Sequence, residues 1–117
     1  MNDPKPWLKH YPPGVPHEID PGTYRSLVEL IDEGLTKHRD KAAYAFMGKR
    51  YSFGQIDADS RALGAYLQNL GLQRGDRVAI MLPNVPQYPV AVMAILRAGF
   101  VVVNVNPLYT PRELAHQ

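Results

Sequence analysis

Leu27, Leu30, Ile31 and Leu35 recur at helical spacing behind Ser26, with Glu29 three residues after that serine. A helix that buries one stripe needs that spacing, and the Ser–Glu pair has the separation of a capping box. A helix is therefore predicted from residue 26 to about residue 39. Residues 42–47 (AAYAFM) and 50–53 (RYSF) are β-rich runs around Gly48-Lys49, which predicts a hairpin with its turn at those two residues. Ser52 ends the second run and caps a further helix, with Gln55 three residues on. That helix places Ile56, Leu63, Leu67 and Leu70 on one face, with small Ser60 in phase, and Gly71 stops it. At about 18 residues it is roughly 27 Å long, enough to cross one face of a sheet.

From Arg77 the pattern becomes strand, helix, strand. Residues 78–82 form an apolar run, Pro83-Asn84 a turn, residues 85–98 a helix stopped by Gly99, and residues 100–105 a second strand. The runs VAIML and FVVV do not alternate with polar residues. Continuous runs are expected of strands covered on both faces, as in parallel sheets, joined here by a right-handed crossover. Thr110-Pro111-Arg112-Glu113 is a strong helix start, with a capping Thr, Pro at the first helical position and Glu at the third. Only LAHQ follows, and the expectation is an interrupted helix at the end of the opening part of a larger α/β domain.

Ahead of these elements lies a proline-broken arm containing Pro4, Pro6, Pro12, Pro13, Pro16 and Pro21. Each ring fixes φ and holds its predecessor out of helical space, so the arm is predicted to be extended. Trp7, Leu8 and Tyr11 suit a strap packed across the body, with a membrane-interface anchor as the alternative. The division expected is an arm over residues 1–25 and an incomplete α/β subdomain over residues 26–117. No stretch reaches the ~20 apolar residues of a spanning helix, and the N-terminus has no apolar h-region.

Composition narrows the chemistry. Apolar residues at 45% and charged residues at 21% describe an ordinary globular chain. A net charge of +2 with scattered basic residues does not suit nucleic acid as a partner. The absence of cysteine removes disulfides and thiolate chemistry and fits a reducing compartment.

Phosphate cradling needs small residues at a helix start, whereas the first strand-to-helix turn reads LPNVPQYP, and neither GxGxxG nor GxxxxGK[ST] occurs. His10, His17, His38 and His116 lack metal-ligand spacing. Asp57 and Asp59, two apart on a helix, do not share a face and read as solvated charges. Ser26, Ser52 and Ser60 lack a nucleophile-elbow context. Asn84, Asn104 and Asn106 sit at strand ends, where open α/β sheets bind ligands, but turn and strand-end hydrogen bonding is the better account of Asn next to Pro. Asn104 and Asn106 are expected on one side of a strand.

YSFGQIDADSRALGAYLQNLGLQRGDRVAIMLPN resembles the first sequence block of adenylate-forming (AMP-binding) enzymes, and ILRAGFVVVNVNP resembles their second. Arg97 stands where many of those relatives carry Lys. The flanks WLKHYPPGVPHEID, MGKR and NVNPLYTPREL are similar to those of bacterial long-chain fatty acid–CoA ligases, and the resemblance covers nearly the whole chain.

It implies an α/β fold, the N-terminal part of the large domain, with a parallel or mixed sheet, flanking helices and a hairpin. It also implies a two-step reaction in which a fatty acid carboxylate attacks the α-phosphate of ATP, with Mg²⁺, and CoA then displaces AMP. The phosphate loop, ribose-binding aspartate and catalytic lysine of such enzymes match no position here. No catalytic, cofactor-binding or metal-binding residue is therefore assigned, and the segment alone is expected to be inactive and to hold none of ATP, Mg²⁺ or CoA specifically. Two alternatives stay open: another acyl or aryl adenylate-forming ligase, and a non-catalytic binding module keeping half of the fold. The resemblance carries an expectation of a cytoplasmic location with peripheral association at the inner membrane face. Incomplete cover over the apolar strands carries one of self-association.

Overall fold

A computed structural model describes residues 5–117; the first four residues of the arm, Pro4 among them, lie outside the described residues. The elements run α1 (Leu27–Lys37), β1 (Ala42–Phe46), β2 (Lys49–Ser52), α2 (Phe53–Gln68), β3 (Arg77–Ile80), α3 (Gln87–Arg97), β4 (Val101–Asn104) and α4 (Pro111–His116). β1 and β2 form an antiparallel hairpin, and β3 and β4 a separate parallel pair.

Local chemistry sets most boundaries. Ser26 accepts from the Glu29 N–H, but the Glu29 carboxylate reaches back to the Arg25 N–H, so only half of a capping box forms at α1. α2 and α4 have both halves, through Ser52 with Gln55 and Thr110 with Glu113. The end of α3 is a Schellman motif: Gly99 at φ 86° donates to the Leu96 carbonyl and Phe100 to that of Ile95. Phe100 and Ile95, brought together by that turn, are both buried in the core beside Ile80.

The hairpin turn is at Met47-Gly48, one residue earlier than the sequence suggested. Met47 and Gly48 both have positive φ (47° and 77°), which two-residue turns matching strand twist require, and Met47 projects into solvent. α2 has 16 residues, about 24 Å. Its most deeply buried positions are Ile56, Ser60 and Gly64, while Leu63 and Leu67 are half-buried and Leu70 is exposed. The small residues decide this. A Cβ at Gly64 would lie 3.2 Å from the Ala94 carbonyl oxygen, so α2 and α3 approach almost backbone to backbone.

The expected cover on both faces of the parallel pair is absent among the described residues. Val78, Ile80 and Val102 pack toward α2 and α3, whereas Arg77, Ala79, Met81 and Val101 are exposed on the other side. The arm also departs from expectation. It is not a strap over the body: Leu8–His10 form a 3₁₀ turn, and Trp7 remains 52% exposed. Among the described residues its contacts include a Lys5–Glu18 ion pair and a Tyr11–His17 edge-to-face ring pair within the arm, while at its end Tyr24 and Arg25 bond Glu33 and Glu29 of α1. Proline-fixed φ angles favour such short turns over one continuous extended strand.

Gly64→Ala is expected to destabilise the chain by about 1–3 kcal/mol, since a backbone carbonyl cannot yield as a side-chain tip does. Gly34→Ala, in α1 with open space at its Cβ, should stabilise by roughly 0.5–1 kcal/mol through helix propensity. Urea denaturation of both variants checks the contrast, and equal shifts would refute the close-approach argument. The Glu113 carboxyl is held below the usual range by hydrogen bonds from the Thr110 side chain and backbone N–H. Its support for α4 is therefore fully present above the ordinary glutamate pKa and is lost as pH falls through the depressed folded value. A carboxyl NMR titration checks this, and a Glu113 midpoint at or above that of an unstructured glutamate would contradict it.

Candidate functional site

The most organised polar cluster joins the three long helices. Arg97 ends α3, where a cation suits the helix dipole. Its Nη2 lies 2.7 Å from Asp57 Oδ1 on α2 and 2.5 Å from Asp32 Oδ1 on α1. Arg61, one turn beyond Asp57, donates from Nε to the same Asp57 oxygen at 3.0 Å and lies 3.6 Å from Asp32. The side chains of Arg97 and Asp57 are only 10% and 16% exposed, those of Asp32 and Arg61 40% and 58%. Two cations and two carboxylates leave the cluster neutral.

Asp57 is therefore not the solvated charge that its spacing suggested, whereas Asp59 is exposed. Sequence reasoning also missed Asp32 and Arg97 as partners. The available signal was a lone arginine closing the otherwise apolar helix QYPVAVMAILR, whose α2 partner is 40 residues away.

The cluster binds helices rather than ligand. Arg97 Nε and Nη1 are buried without a hydrogen-bond partner. A cleft of about 380 Å³ opens beside them, lined by Val28, Asp32, Gly64 and Arg97 among others. Yet these two nitrogens have essentially no accessible surface, so nothing in the cleft reaches them.

The strand ends are committed to structure in the same way. Asn104 Oδ1 accepts from the Tyr88 hydroxyl at 2.8 Å. Asn106 lies beyond the end of β4, and its Oδ1 accepts from the Leu108 N–H in a local turn, so the two asparagines do not share a strand face. Asn84 lines an apolar groove of about 400 Å³ between the hairpin (Tyr44, Phe46) and the start of α3 (Pro86, Tyr88, Val92).

At the β3-to-α3 turn, Val85 donates to the Pro83 carbonyl and Tyr88 to that of Val85, while Pro86 and Pro89 have no N–H to offer. Pro83 lacks one as well, so the prolines and these two bonds leave this helix start poor in donors for an anion. Ser26 and Ser52 are caps, and Ser60 donates to the Asp57 carbonyl. His17 pairs with Tyr11 and His38 with Phe53. Among the described residues, no group of three His, Asp or Glu is placed to hold a metal, and no helix is long and apolar enough to cross a membrane.

Arg97→Ala should cost about 1.5–3 kcal/mol, because it removes the charged donor from a mostly buried Asp57, although Arg61 remains beside both carboxylates. Arg97→Lys should stay within about 1.5 kcal/mol of the parent, since an ammonium can still bridge Asp32 and Asp57 while the two unpartnered N–H groups vanish. Guanidinium chloride unfolding distinguishes them, and equal losses would remove the ion bridge as the cause.

Known proteins place this arrangement. The AMP-binding enzyme family matches residues 31–117. The chain is 57% identical over 114 residues to the long-chain-fatty-acid–CoA ligase of Salmonella typhimurium, covering 97% of this chain and 20% of that protein. The Bacillus subtilis ligase of the same name is 44% identical over 117 residues, covering all of this chain and 21% of that protein. The 4-coumarate–CoA ligase 5 of Oryza sativa is 39% identical over 93 residues, covering 78% and 17%. The chain thus spans about a fifth of the length of the curated relatives it matches. Among solved structures, the N-terminal subdomain of Klebsiella oxytoca NpsA superposes with a TM-score of 0.74 at 27% identity, covering 79% of this chain and 24% of that one. With the family matching three-quarters of its residues and an adenylation-type N-terminal subdomain matching its fold, this chain belongs to the AMP-binding enzymes.

Proposed function

We propose that the chain is the N-terminal scaffold of a long-chain fatty acid–CoA ligase. The observation that carries the reading is 57% identity to the Salmonella ligase across 97% of the chain, against 39% over a shorter stretch for the 4-coumarate ligase. The reaction proposed for the whole protein consumes fatty acid, ATP and CoA and yields acyl-CoA, AMP and pyrophosphate, assisted by Mg²⁺. This segment contributes no reacting group. Its part is positional: the Arg97 bridge clamps α1, α2 and α3, and the Schellman turn after α3 sets β4 beside β3. The neutral ion cluster and the proline-blocked helix start both support a supporting role rather than a catalytic one.

A cytoplasmic location is proposed on the absence of cysteine. Peripheral association with the inner membrane face is proposed on substrate chemistry, because long-chain fatty acids partition into bilayers. Flotation of the whole protein with lipid vesicles tests that association, and its absence from the lipid fraction would refute it.

ATP–pyrophosphate exchange tests the scaffold role. The 117-residue chain alone should give no fatty-acid-dependent exchange. Grafted in place of the matching segment of the Salmonella ligase, it should support exchange with long-chain fatty acids. Grafted into the rice ligase, it should leave that host's own acid preference unchanged. Exchange by the chain alone, or a preference that travels with the graft, would overturn the reading.

A further inference from the structure

Charge is not spread evenly along the chain. Residues 37–50 carry five cations, Lys37, Arg39, Lys41, Lys49 and Arg50, against one carboxylate, Asp40. That segment is therefore +4, while the rest of the chain, with eight cations and ten carboxylates, is −2. All five cations are exposed. Among the described residues none of them forms an ion pair, whereas Arg25, Arg61 and Arg97 all do. Three lie between the last turn of α1 and the start of β1, at the base of the hairpin, and two open β2 beside its tip.

The tip itself is apolar. Met47 is 89% exposed and Phe46, next to it, 37%. Met47 also holds φ at 47°, a region that Gly or Asn enters far more readily than a long side chain. The turn thus keeps an apolar residue in a strained setting where the fold gives it almost no burial, and such outliers point to a role outside folding. Phe46 pairs with Lys49 and Ala45 with Arg50. Strand alternation therefore sets Lys49 and Arg50 on opposite faces of the hairpin, just behind the tip. Lys49 Nζ stands 5.1 Å from the centre of the Tyr51 ring, a contact that leaves its charge uncompensated.

We propose that this hairpin is the element that meets the membrane. Met47 and Phe46 enter the interfacial zone of an anionic phospholipid bilayer, and Lys49 and Arg50 engage headgroups on either side. An apolar apex between cations suits that surface, because apolar side chains settle at the headgroup–acyl boundary and each Lys or Arg adds attraction to anionic lipid. A two-residue tip offers far less than the area of a specific protein interface, whereas a bilayer closes around a single side chain. The proposal rests on the peripheral association proposed above and names the element that carries it.

The sample for the test is the whole protein, so that cover of the tip by other parts of the chain counts against the proposal. Partition onto phosphatidylcholine vesicles with and without phosphatidylglycerol should show binding that needs the anionic lipid and weakens with salt. Met47→Asn keeps the turn, since Asn-Gly suits two positive φ angles, and should lower affinity for the anionic vesicles about tenfold. It should also unfold no earlier than the parent, which separates lost binding from lost fold. Replacing Lys49 and Arg50 together by Gln should lower affinity by about tenfold or more and remove most of the dependence on phosphatidylglycerol. A whole protein that stays off anionic vesicles would overturn this proposal together with the peripheral association. Binding that both variants leave unchanged would overturn the hairpin's part alone, and equal binding to both kinds of vesicle would overturn the charge match.

Discussion

The approach of α2 to α3 at Gly64 and Ala94 governs the rest of this structure. With a carbonyl only 3.2 Å from where a Cβ at Gly64 would stand, the two helices pack closer than larger side chains allow. Ser60, one turn before Gly64 and fully buried, extends the same narrow seam and satisfies its hydroxyl on its own helix. From that contact follow the short reach of Arg97 to Asp57 and the position of Ile95 beside Ile80 and Phe100. Interiors at crystal-like density leave little freedom once such a seam is set.

The ion cluster above the seam gives orientation more than stability. Removing Arg97 and Asp57 from water is costly, and their attraction offsets that cost only where hydrogen bonding is complete. Here it is incomplete, because two guanidinium nitrogens have no partner and Asp32 Oδ1 accepts no aligned hydrogen bond. What the cluster supplies is discrimination. Only one rotational and axial setting of α1 and α3 against α2 brings Asp32 and Arg97 to Asp57 and Arg61 together.

Membership of the AMP-binding family accords with the proposed role of this segment as a frame. Catalytic groups need rigid support to hold reacting atoms in register. A helix clamp and a parallel strand pair are the kind of elements that supply such support. The open face of β3 is the counterpart: apolar runs without alternation are built for cover, and surface of that kind is where further protein packs.

The sequence by itself determined the local punctuation. Ser26, Ser52 and Thr110 cap their helices as their spacing indicated, Gly99 turns the chain out of α3, and the apolar runs pair in parallel. Each depends on atoms within a few residues, so a linear pattern contains the information. The hairpin turn slipped by one residue because Met47, which nothing local marks for positive φ, shares the turn with Gly48. Tertiary structure alone decided the rest. Gly64 rather than Leu63 is the buried contact because α3 backbone lies against it, and Asp57 is a bridge rather than a surface charge because Arg97 arrives from 40 residues away. Side chains so distant in sequence meet only after helices pack, and no local periodicity records which face will meet which.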